Sequence, residues 1–172
     1  MSAFDPFVWI PRESVSRLLE RLAGHGWRIA TAESLTGGLL GAVLTSIPGA
    51  SRVYVGGIVS YCDDAKRSLL GVPASLLEMC GAVSREVAVA MAGGCRQLFD
   101  ADLAMATTGV AGPAADAHGT AVGTVFVAYA TRQTCRAVGL SVDGTRDLIR
   151  SQSVIAAVAL AGEAMDDAES VV

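Results

Sequence analysis

The chain has 172 residues, 52% hydrophobic and 17% charged, with a formal net charge of −4. That length suits one ordinary domain, and so apolar a composition excludes a disordered chain. Thirteen basic residues against seventeen acidic ones, with no basic cluster, argue against a nucleic-acid or anionic-membrane partner.

The opening MSAFDPFVWIPRES has an early Asp5 and no basic stretch or apolar run, so no signal peptide is expected. Residues 11–24 place Val15, Leu18, Leu19 and Leu22 on one helical face, with Pro11 in the first turn and Gly24 or Gly26 as the stop. Residues 27–32 read as a strand ending at Glu33-Ser34. A helix is expected from Leu35-Thr36-Gly37-Gly38 to about Ile47, then a turn at Pro48-Gly49. The longest uncharged stretch, residues 34–51, is interrupted by glycines and a proline, which disfavours a membrane span.

Residues 53–61 are apolar on both faces and predict a strand buried on both sides, the pattern of a parallel sheet covered by helices. Helices follow at about 62–70, 74–79 and 84–98, and a third strand at 102–108. Residues 114–120 read as a mobile loop, 122–130 and 134–142 as paired strands, and 145–165 as a terminal helix. Cysteines 62, 80, 95 and 135 form no CxxC pair and are expected as small buried or half-buried thiols. The whole predicts a three-layer α/β domain with a mainly parallel sheet, cytoplasmic, its core spanning about 12–165. In such sheets ligands gather beyond the carboxyl ends of the strands, where 33–38, 61–66 and 107–113 converge.

Ser34, at a strand-to-helix turn, has the position of a nucleophile beside free backbone N–H groups, or of a helix cap. Lys66 is the only lysine, against twelve arginines. An ammonium can lose its proton when desolvated and a guanidinium effectively cannot, so a task requiring deprotonation selects lysine. Such a lysine can activate a serine hydroxyl and later protonate a leaving amine. Asp63 and Asp64 read as acids that hold, cap or solvate a helix start. Thr107 to Pro113 offers hydroxyls and glycines for a phosphate without a Walker pattern. Arg146 could clamp an anion, whereas Arg150 reads as an exposed helix residue.

Together, Ala32-Glu33-Ser34-Leu35-Thr36-Gly37-Gly38, Gly56-Gly57 through Tyr61 to Lys66, Leu70 to Pro73, Gly81 to Ser84, Thr108 to Pro113 and Val122 to Val125 resemble the CinA C-terminal domain family, with its stand-alone nicotinamide-nucleotide amidases. The resemblance implies hydrolysis of the carboxamide of nicotinamide mononucleotide by a Ser–Lys mechanism, without metal or other cofactor, in a homo-oligomer. It implies Ser34 as nucleophile, Lys66 as base and acid, and Tyr61 as their aid. Glu33, Thr36, Gly37, Gly38, Gly57, Thr108, Gly109, Gly112 and Arg146 are then expected to bind the substrate. Two departures bear on affinity: Ala114-Ala115-Asp116 stands where the family has glycines, and Thr145 where it has aspartate. The alternatives are a non-catalytic nucleotide-binding protein of the competence or DNA-damage type, and an amidase for a related pyridine nucleotide.

Overall fold

The computed structural model describes residues 10–169, so most of the amino-terminal segment read for a signal peptide lies outside the described residues. The order is α1 (Arg12–His25), β1 (Ile29–Glu33), α2 (Leu39–Thr45), a short 3-10 turn (Ala50–Arg52), β2 (Tyr54–Val59), α3 (Asp63–Leu70), α4 (Ala74–Cys80), α5 (Arg85–Leu98), β3 (Leu103–Gly109), β4 (Thr124–Ala130), β5 (Cys135–Ser141) and α6 (Arg146–Glu169).

The strands form one sheet in the order β2-β1-β3-β4-β5. β1 runs parallel to β2 and β3, and β3-β4-β5 is an antiparallel meander. The sheet is thus mixed, parallel around β1, in an α/β fold with helices on both faces.

Side-chain alternation along the strands makes the two faces unlike. Ile29, Leu103, Met105, Val125 and Val127 point to one face, packed with α1, α2 and α6. Ala30, Ala32, Ala104, Ala106 and Ala128 point to the other, where small residues let α5 lie close. Gly94 of α5 takes this further, since a Cβ there would stand 1.8 Å from the Leu70 carbonyl oxygen of α3. α3 is thereby seated on α5 with no space for a side chain between them.

Three expectations are corrected. β2 is an edge strand, with Val55 and Val59 exposed, since among the described residues no strand pairs with its outer side. α2 begins at Leu39, since Gly37 and Gly38 hold positive φ (60° and 96°), which a regular helix does not admit. Cys62 and Cys135 are exposed, because one precedes a surface helix and the other opens edge strand β5. α6 is long and apolar enough to cross a membrane by length and composition, yet 56% of that window is buried within the protein. Its Ile149, Val154, Val158 and Met165 belong to the core, as expected of a helix that packs on a sheet.

Candidate functional site

Ser34 follows the last residue of β1, held by its N–H to the Thr107 carbonyl oxygen of β3 at 2.9 Å. The chain turns back at once, with the Gly37 N–H donating to the Ser34 carbonyl oxygen at 3.1 Å. That turn is locked from beneath by Glu33. Its two carboxylate oxygens accept from the N–H groups of Gly38, Leu40 and Gly41 at 2.8–3.0 Å. A carboxylate at the amino end of a helix answers both the unpaired donors and the dipole.

Glu33, expected to bind the substrate, is buried, caps α2 and is not among the residues that line the cleft. The same holds for four neighbours. Thr36 is buried, its hydroxyl 2.7 Å from that of Thr107 and its carbonyl oxygen accepting from Arg150 at 2.7 Å. Gly37 and Gly38 form the turn, and Gly57 on β2 lies against Thr31 and Tyr54. None of the four is among the residues that line the cleft. Arg150 is likewise not a solvated helix residue, since its guanidinium ties α6 to this turn.

The cleft, about 310 Å³, is bounded by Ser34 and Leu35, by Tyr61, Asp63 and Lys66, by Ala82-Val83, and by Thr108 to Gly112. Loop residues Asp116 and His118, together with Arg146 at the head of α6, complete it. Its size falls within the range of small-molecule sites. Lys66, one turn into α3, is 2% exposed, and its ammonium nitrogen lies 3.4 Å from Ser34 Oγ. Ser34 itself is 8% exposed. Burial pushes the Lys66 pKa below the ordinary lysine value, while Asp63 and Cys62 pull it upward. A lysine so placed has access to its neutral form, which can accept a proton from Ser34.

On the outer side Arg146 donates to the Gly112 carbonyl oxygen at 2.8 Å and to the Tyr61 hydroxyl at 3.0 Å. Tyr61 is 60% exposed and touches the arginine at the rim. Thr108 is buried and donates to the Ala82 carbonyl oxygen at 2.7 Å, drawing the α4–α5 turn against the site. Gly109 admits no side chain, since a Cβ would meet the Thr124 carbonyl oxygen at 2.7 Å.

Several cleft residues escaped the sequence reading. In the sequence Asp63 reads with Asp64 as a helix-start acid, although its spacing to Lys66 is one helical turn. The expected mobile loop has an internal order: Asp116 accepts from the N–H groups of His118 and Thr120 at 2.9 and 2.8 Å. Burial opposes ionisation of Asp116, but those bonds outweigh it and hold its pKa below the usual value. The His118 ring rests over Gly81. Thr145 accepts from the Leu148 N–H at 3.3 Å and caps α6. An Asp-Ala-His-Gly segment is an ordinary turn signal, and nothing in it points toward a cleft.

Comparison with known proteins follows the same outline. The family model described as CinA C-terminal domain matches residues 12–165. A CinA-like protein of Geobacter metallireducens is 49% identical over 147 residues, 85% of this chain and 36% of that protein. The chain spans about a third of the length of the curated relatives it matches. A crystal structure of a competence-damaged protein (CinA) superfamily protein from Klebsiella pneumoniae superposes with a TM-score of 0.87 at 35% identity, covering 91% of this chain and 98% of that one. That of the competence/damage inducible protein CihA from Agrobacterium tumefaciens gives 0.85 at 36% identity, covering 96% and 99%. With motif, fold and family model in agreement over the same residues, the chain belongs to the CinA C-terminal domain family.

Proposed function

We propose that the protein is an amidase that hydrolyses the carboxamide of nicotinamide mononucleotide, giving nicotinate mononucleotide and ammonia. The observation that carries this reading is the buried Lys66 nitrogen 3.4 Å from Ser34 Oγ in a cleft open to a ligand. A purely binding protein has no use for a desolvated lysine beside a serine.

In the proposed reaction neutral Lys66 takes the Ser34 proton as Oγ attacks the amide carbon. The carbonyl π electrons move to oxygen, and backbone N–H groups of the turn after Ser34 receive the oxyanion. Collapse breaks the C–N bond, and Lys66 returns its proton to the departing amine, which leaves as ammonia. Water, deprotonated by the again neutral Lys66, then attacks the ester. The nicotinate is released and Ser34 Oγ is reprotonated. Tyr61 frames the pyridinium at the rim, Arg146 meets the phosphate, and Thr108, Gly109 and Gly112 wall the nucleotide.

The test is ammonia and nicotinate mononucleotide release by wild type, Ser34→Ala and Lys66→Arg. Both variants are expected to fold and to lose turnover by roughly 10³-fold or more. Arginine fails because it keeps its proton. Turnover surviving in Ser34→Ala overturns the covalent mechanism. Preference for another pyridine nucleotide amide in the same assay moves the substrate and keeps the chemistry.

A further inference from the structure

We propose that Asp63 is a positioning residue for the Ser34–Lys66 pair: its carboxylate holds the Lys66 nitrogen toward Ser34 and sets the pH at which the pair works. The proposal rests on the amidase reading and deepens it. Asp63 opens α3 and stands three residues before Lys66, on the same helical face. Its Oδ1 is 3.7 Å from the Lys66 nitrogen, which also lies 3.4 Å from Ser34 Oγ. The two ends of this contact have opposite environments. Lys66 is 2% exposed while the Asp63 side chain is 52% exposed, so a hydrated carboxylate stands beside a dried lysine nitrogen.

Its neighbour Asp64 makes the contrast. It sits in the same first turn, but its carboxylate pairs with Arg67 at 3.0 Å on the surface. The other ionisable groups near Lys66 are Cys62 before the helix and Tyr61, Arg146, Asp116 and His118 around the cleft. α5, packed on α3, carries Arg85, Glu86, Cys95 and Arg96, and of these Cys95 is a buried neutral thiol. Burial favours the neutral lysine, and Asp63 is the principal charge opposing it.

Asp63→Asn keeps the shape and removes the charge. The acid limb of kcat/KM is expected to move to lower pH by about one unit, because the ammonium loses its partner. The plateau kcat is expected to fall, since a less basic lysine draws the Ser34 proton less well. Asp64→Asn removes a charge from the same helix end and leaves the limb in place. Asp63→Glu, which retains the charge, keeps the limb near its wild-type position.

Because Lys66 is the only lysine, protein labelled with ε-13C lysine gives a single side-chain resonance whose titration needs no substrate. Its midpoint is expected lower in Asp63→Asn than in wild type. An unmoved or raised midpoint overturns the proposal. Absence of ammonia release by wild type overturns the amidase reading instead, and the lysine titration still decides the role of Asp63.

Discussion

A lysine 2% exposed borders the cleft and burdens the fold at once. Burial outweighs the pull of Asp63 and Cys62, so folded Lys66 releases its proton more readily than the unfolded chain does. Unfolding therefore takes up protons in the interval between the two pKa values, and stability rises with pH across it. The contribution is fully present above the unfolded lysine value and is lost as pH falls through the folded one. Lys66→Met fills the same space without charge. At pH 7 it is expected to be inactive yet more stable, by about 1 kcal/mol or more, raising Tm by roughly 2–4 °C per kcal/mol. The gain shrinks as the pH approaches the ordinary lysine range. Calorimetry of both proteins at pH 7 and at alkaline pH checks this, and an equal or lower Tm at pH 7 refutes it.

The elements depend on side chains whose purpose is local. α2 starts after a glycine turn and draws its first donors' partners from Glu33, five to eight residues back. Glu33→Gln leaves the amide NH₂ facing one or two of those N–H groups. Tm is expected to fall, by about 1–3 kcal/mol of stability, while KM holds because residue 33 does not line the cleft. A raised KM with unchanged Tm would instead return Glu33 to the substrate. This cap was illegible in the sequence because capping signals are sought at the residue just before a helix, and Glu33 acts across a turn. The edge position of β2 was hidden for a different reason. Val53 to Val59 is apolar on both sides, and periodicity cannot tell a strand covered by helices from one left at a rim. By contrast, α1 and α5 were plain, since Val15, Leu18, Leu19 and Leu22 repeat at helical spacing and Ser84 caps the N–H of Val87. Ser34 and Lys66 were legible through a strand end and a solitary lysine, but Asp63 was not. An acid at a helix start already has a sufficient reason in the dipole.

At the scale of the molecule, the alanine layer under α5 decides what the interior protects. Cys95 faces that layer, fully buried, with its pKa pushed up to about 12 by burial. Its thiolate is negligible at neutral pH, and no reagent reaches it unless α5 leaves the sheet. Cys62 and Cys135 are exposed and Cys80 is half-buried. Native protein treated with an alkylating reagent is expected to label Cys62 and Cys135 first and Cys95 only through unfolding, with all four reacting in denaturant. Cys62 lies between Tyr61 and Asp63, so its alkylation is expected to slow turnover and substrate to slow its alkylation. Cys135, at the far end of the meander, should show neither effect. Because access to Cys95 requires the packed layer to open, its labelling rate tracks global stability. Lys66→Met should therefore slow Cys95 labelling at pH 7 while leaving Cys135 unchanged. Mass spectrometry of tryptic peptides over time reads both rates. Labelling of native Cys95 as fast as Cys135 would mean that α5, and with it the α3 seat of Lys66, opens independently of the sheet.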